Sequence, residues 1–163
     1  LHSVTCTNAL YFAYLTSGSD ETRRLLLLQN ASFLPLFRAR INAGKDLQID
    51  QFEPLPSKES GALAVEEIFA ELSKDRLTAA RKTLAHLKEN RQPQEFIAAA
   101  RRLGFLKGRD SHDYKFSTAV LEDYQHVSPA WRDRYLAASV FWLRGSAEPD
   151  NVLVKRTRET LKA

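Results

Sequence analysis

The 163-residue chain has one cysteine and no methionine. A lone Cys6 excludes an internal disulfide, and neither CxxC nor the paired Cys/His spacing of a zinc site occurs. A reducing, cytoplasmic setting fits that composition. HExxH and paired Glu-x-x-His motifs are also missing, so no metal is expected on His2, His112, His126 and the carboxylates near them. The richest apolar run, LLLLQNASFLPLF, is broken by Gln29, Asn30, Ser32 and Pro35 and falls short of the ~20 residues that cross a bilayer. With the basic start of a signal peptide also missing, no membrane association is expected. Charge of one sign is scarce too: 24 basic residues face 20 acidic ones, leaving +4. The basic clusters RRLGFLKGR and KRTRETLK belong to no RNA- or DNA-reading motif, so they are expected to be solvated faces without a nucleic-acid partner. The absence of methionine, with Leu1 at the start, suggests a fragment of a longer polypeptide or a sequence from which modified methionines are omitted.

What is present is helical periodicity. The 44% apolar content can bury a core in one domain spanning 1–163. Residues 9–15 are apolar on nearly all sides, which predicts a buried helix. Gly18 ends it, and Asp20 is a candidate N-cap for a second helix that would turn Leu25, Leu26, Leu28, Phe33 and Leu36 inward and kink at Pro35. Residues 43–58, with Gly44, Pro54 and Pro56, read as an irregular loop. GALAVEEIFAELSK and DRLTAARKTLAHLKEN then form a helical pair turning near Lys74 and Asp75, with Leu77, Ala80, Leu84 and Leu87 as one apolar stripe. A helix starting near Pro93 and ending near Gly104 follows, and residues 112–126, 129–144 and 151–161 supply three more. No alternating strand pattern occurs. The fold class is therefore all-α, a multi-helix bundle or orthogonal helical array of about seven to eight helices.

Two polar constellations stand out. In DSHDYKFSTAVLED, a helix step of about 100° sets Phe116 about 40° from His112 and Lys115 about 60° to the other side. An imidazole at a core margin beside a lysine would favour its neutral form and suit proton transfer, while Lys115 would stabilise an oxyanion. The same residues also make an ordinary helix start, with Asp110 and Ser111 as caps and Asp113 in the first turn. In LHSVTCTNAL, His2, Thr5, Cys6 and Ala9 share one face, and internal hydrogen bonds from Thr5 and Asn8 are the simpler account. Cys6 has no neighbouring cation or base that would make it a nucleophile. Trp131, Tyr135, Ala138 and Trp142 share a stripe that could line a pocket for a flat ligand, although core packing is the simpler expectation.

Taken together, these pieces resemble the questin oxidase-like family. Its His-x-Val-Thr segment leading into an apolar helix is matched by His2, Val4 and Thr5. Its later helix is matched by Asp110, His112, Lys115, Ala119 and Glu122, and YLAAS is similar to its Leu-Ala-Ala segment. The resemblance covers the C-terminal part of the family's length, from residue 1 to about 146, and the family's N-terminal histidine-bearing helices have no counterpart. It implies an NADPH-dependent Baeyer–Villiger-type monooxygenation of a polycyclic aromatic ketone. His2, His112 and Lys115 would be catalytic, and Thr5, Trp131 and Tyr135 would bind substrate. The site would be completed by the missing N-terminal part or a second subunit. No GxGxxG followed by an acidic residue marks a Rossmann cofactor site. The rival expectation is a non-catalytic helical scaffold or protein-interaction domain.

Overall fold

A computed structural model describes residues 1–38, 47–90 and 93–162. Among the described residues there are eight α-helices, one short 3-10 helix and no strand, which is the all-α class that the periodicity predicts. The helices are α1 (His2–Thr16), α2 (Asp20–Arg38), α3 (Gly61–Leu72), α4 (Arg76–Asn90), α5 (Gln94–Lys107), α6 (Ser111–Asp123), α7 (Pro129–Ser139) and α8 (Val152–Thr160). Where one domain is expected over 1–163, contacts cluster into two compact units, Leu1–Leu47 and Gln48–Ala163. Of the irregular loop expected at 43–58, residues 43–46 lie outside the described residues. The remainder carries only the 3-10 turn Ile49–Gln51.

The first unit is a helical hairpin. Its turn is capped by Ser19 rather than Asp20: the Thr22 N–H donates to Ser19 Oγ at 3.3 Å and the Arg23 N–H to Ser19 O at 3.0 Å. Asp20 becomes the first helical residue, where its charge still suits the positive helix end and pairs with Arg23 at 3.1 Å. Contacts between the helices run antiparallel. The Arg23 guanidinium reaches Tyr14 O, Thr7 Oγ1 donates to Asn30 Oδ1 at 2.9 Å, and the rings of His2 and Phe37 stack at 6.3 Å. The seam on α2 is thus Arg23, Leu26, Asn30, Phe33 and Phe37, repeating every three or four residues.

That seam corrects two expectations. No residue of α1 is buried, and Phe12 is 65% exposed, so the helix that reads as buried is not. Of the five side chains expected inward on α2, Leu26 and Phe33 are half-buried, whereas Leu25, Leu28 and Leu36 are exposed. A two-helix pair covers only one stripe on each helix, however apolar the remaining faces are.

The second unit holds the core. α3 buries Ala64, Val65, Ile68, Phe69 and Leu72 against α4, whose Ala80, Leu84 and Leu87 are buried as the stripe predicts, with Leu77 at its start half-buried. Phe69 of α3 and Phe96 of α5 stack 5.0 Å apart, each contributing about 1.5–3 kcal/mol by burial. Lys82 is buried among these helices and donates to Glu67 Oε1 at 2.6 Å. That hydrogen bond chiefly holds the Glu67 carboxyl below its ordinary range. Arginines tie down the irregular backbone. Arg134 donates to Ile49 O and Phe52 O, Arg81 to Glu53 O, and Arg76 to the Val140, Phe141 and Leu143 carbonyls just past α7. Of these carbonyls, Val140 O also accepts the Leu143 N–H at 3.3 Å. His86 on α4 is buried, and burial lowers its pKa despite the opposing pull of Glu95 and Glu89.

Candidate functional site

The start of α6 is built around one carboxylate. Asp110 stands at the N-cap in extended backbone, and its Oδ1 accepts from the His112 N–H at 2.8 Å and the Asp113 N–H at 3.3 Å. The same oxygen lies 3.5 Å from His112 Nδ1. Asp110 therefore starts the helix and sets its carboxylate beside the imidazole. The His112 side chain is 54% exposed, so it does not sit at the dry core margin that the helical wheel predicts, and Lys115, one turn on, is exposed as a surface lysine. Phe116, Ala119 and Val120 occupy that margin.

Behind this opening, Asp113 anchors α6. Its carboxylate accepts from the Arg109 N–H at 2.7 Å and takes Arg144 Nη2 at 2.6 Å on both oxygens, while Arg144 Nη1 reaches Glu148 at 2.9 Å. Burial pushes the Asp113 carboxyl up, but the hydrogen bonds from Arg144 and Arg109 outweigh it and leave the group below its ordinary range. Arg144 comes from the segment after α7, so the ion pair fixes where α6 begins.

Next to that start runs a groove of about 450 Å³ between α5 and α6. Phe105, 70% exposed, and Tyr114 face each other with ring centroids 6.5 Å apart. Arg101, Glu122 and His126 bring charged or protonatable groups to the same walls, and Glu122 and His126 are four residues apart. Gly104 lines the groove, and Gly108 packs behind its Tyr114. A Cβ on Gly104 would lie 3.4 Å from Ser117 Oγ of α6, so this position lets the helices approach. At Gly108 a Cβ would run into the Gly104 carbonyl oxygen and come within 2.9 Å of the Tyr114 ring, whose hydroxyl donates to Gly108 O at 3.0 Å. Such a cleft, with an aromatic pair and a few polar groups, suits a flat, partly polar molecule.

The remaining sequence candidates are distributed as follows. His2 and Thr5 belong to the first unit, described by itself; His112, Lys115, Trp131 and Tyr135 belong to the second. His2 is exposed. The Thr5 hydroxyl donates back to Leu1 O at 3.5 Å and His2 O at 3.4 Å, the internal bonding that its position predicts. Neither His112 nor Lys115 lines the α5–α6 groove, but Glu122 of the same motif does. The aromatic stripe does not form as core. α7 ends at Ser139, before Trp142, and Trp131 and Trp142 are 47% and 54% exposed. Tyr135 is half-buried and donates to Asp123 Oδ2 at 3.4 Å; burial first, and then the Asp123 charge, raises its pKa strongly. This pins α7 to the end of α6.

Arg101, Phe105, Tyr114 and His126 escape sequence reasoning because their proximity is created by the α5–α6 pairing. The available signal is Phe105 itself, a large ring directly after the inward Leu103–Gly104 pair. No group of three His, Cys, Asp or Glu side chains gathers at metal-binding distance among the described residues. No described helix is long and apolar enough to cross a membrane. No protein-family model, curated protein or solved structure matches the chain.

Proposed function

We propose that the chain is a helical oxidoreductase domain of the questin oxidase-like type, acting on a polycyclic aromatic ketone. The observation that carries this reading is the single Asp110 carboxylate that caps α6 and flanks the exposed His112 ring, with Lys115 one turn further on. A carboxylate beside an imidazole fixes the orientation of the ring, which suits a group that gives and recovers a proton. His112 protonates the substrate oxygen, and Lys115 stabilises negative charge developing there. Trp131 and Tyr135, in the same unit as His112, belong to the same reading as substrate contacts.

The overall change consumes the ketone, O2, NADPH and a proton and yields the ester, NADP+ and water, with NADPH supplying two electrons. No strand leading into a glycine-rich turn and helix exists among the described residues, so they do not fit a Rossmann-type dinucleotide cradle. Hydride delivery is therefore not assigned to this chain. Its own residues handle the proton and the charge at the ketone.

Oxygen uptake by the full-length gene product, given NADPH and a panel of polycyclic aromatic ketones, tests the proposal. Ketone-dependent uptake that drops about 100-fold or more in His112→Ala, and less in Lys115→Ala, is the expected result. Uptake unchanged in both variants removes their roles, and no uptake across the panel removes the activity.

A second reading, a helical interaction domain without catalysis, is favoured by the outward apolar residues of the hairpin, among them Phe12, Leu15, Leu25 and Leu28. It predicts that replacing Phe12 and Leu28 with polar residues changes the assembly state in solution while no ketone is turned over.

A further inference from the structure

A second groove, of about 640 Å³, separates α5 from α8. Its construction begins at Asn151. The Asn151 Nδ2 group donates to Phe105 O at 2.7 Å, the backbone N–H donates to Leu106 O at 2.8 Å, and Oδ1 accepts from the Val154 N–H at 2.9 Å. One residue thus caps the start of α8 and satisfies two carbonyls near the end of α5, fixing the two helices beside each other. No residue of α8 is buried, so this helix is held chiefly at its N-terminal end.

The groove is electrically one-sided. Arg102, Lys107, Lys155, Arg158 and Lys162 line it, against the carboxylates of Asp150 and Glu159. Asp150 forms part of the floor with a side chain only 14% exposed; it takes Lys107 Nζ at 2.7 Å and the Arg158 guanidinium. These contacts hold two cations in place inside the groove. Arg102, Lys155 and Lys162 have no carboxylate within 4.0 Å among the described residues and stand exposed on the rim. Guanidinium and ammonium groups spaced around a concavity match an anion with several oxygens better than a single halide. Among the described residues no aromatic ring lines the groove, so they offer no stacking platform of the kind by which proteins grip single-stranded nucleic acid.

We propose that the α5–α8 groove binds the phosphate groups of a small phosphate-bearing molecule, with Arg102 and Lys155 in direct contact and the Asp150-held pair Lys107 and Arg158 as a positive floor. The site is independent of the α6 start and of the ketone chemistry assigned there.

The test is titration of the full-length gene product with inorganic pyrophosphate at low salt, followed by calorimetry and phosphorus NMR. A Kd of about 1 mM or tighter is expected, with orthophosphate about tenfold weaker and the Arg102→Ala/Lys155→Ala pair about tenfold weaker for pyrophosphate. These rim residues are exposed, and an unchanged circular dichroism spectrum of the double variant confirms that the fold is kept. No pyrophosphate binding, or binding that the double variant leaves intact, overturns the proposal. Orthophosphate bound as tightly as pyrophosphate also overturns it, because only a diffuse positive surface remains. A single-stranded RNA that outcompetes pyrophosphate and loses affinity steeply with salt would make the groove a nucleic-acid surface instead.

Discussion

The α1–α2 hairpin and the α3–α8 unit come from one chain of similar apolarity, yet only the second has a core. In the hairpin, α1 has no buried residue, and large side chains such as Phe12 and Leu15 face outward. In the second unit, Ile68, Phe69, Leu84, Phe96 and Leu136 are all but fully buried. Apolar content therefore does not decide burial. What separates the regions is the number of helices that meet: two can share only a seam, whereas α3 packs on both α4 and α5, α4 also on α7, and α6 on both α5 and α7. Polar residues follow the same logic. The hairpin joins its helices through half-exposed contacts such as Thr7 to Asn30, while the second unit draws Lys82 into its interior and pairs it there with Glu67.

The largest predicted effect tests that contrast directly. Phe69→Ala should cost about 3–5 kcal/mol in urea unfolding, and Phe12→Ala about 0.5 kcal/mol or less. Equal losses would break the comparison, since the outer face of α1 would then be covered in solution. The next effect concerns the polar clamp at the start of α6. Arg144→Met should cost about 2 kcal/mol, less than the loss for a wholly buried pair, because both side chains keep some water. Adding Asp113→Asn should recover part of that loss. Because the Asp113 carboxyl is held below its ordinary 3.8, its stabilisation is present above that pH and lost as pH falls through the lowered value. Acid unfolding of Arg144→Met should therefore begin at higher pH than in the parent; coincident acid limbs would remove the clamp from the account.

The smallest effect sharpens the comparison by pH. Burial lowers the pKa of His86 beneath its ordinary 6.5, so the unfolded chain binds the extra proton first. Stability of the second unit should then decline as pH falls from about 6.5 toward the lowered value, and His86→Gln should flatten that slope. Amide exchange followed helix by helix resolves the two units. A slope that survives the substitution would place the titrating group elsewhere.

The helices themselves were legible in the sequence. The α3–α4 pair, its turn near Lys74 and Asp75, and the α4 stripe follow from three-and-four spacing alone. Burial was legible only where several elements converge, so the same reasoning mistakes α1 and the outer face of α2 for core. The N-cap of α6 was readable as well, because Asp110 acts on its own next residues. The α5–α6 groove was not, since Phe105 and Tyr114 meet only through the packing of two helices. The Trp131–Trp142 stripe fails for a different reason: α7 stops at Ser139, short of Trp142, and Trp131 stands exposed in its first turn.

Gly108 carries a consequence for how this wall of the groove can diversify. Its backbone is extended, with φ of −61° and ψ of 138°, a conformation open to any residue, so glycine is not required there by its conformational freedom. It is required by space, and the obstruction has two parts of unequal stubbornness. The Tyr114 ring could be traded for something smaller, but the Gly104 carbonyl belongs to the main chain and has no substitute. Position 108 therefore has an alphabet of one letter whatever stands at 114, while 114 is free to drift. In a set of diverged sequences, the ring at 114 would vary while the glycine at 108 stayed constant.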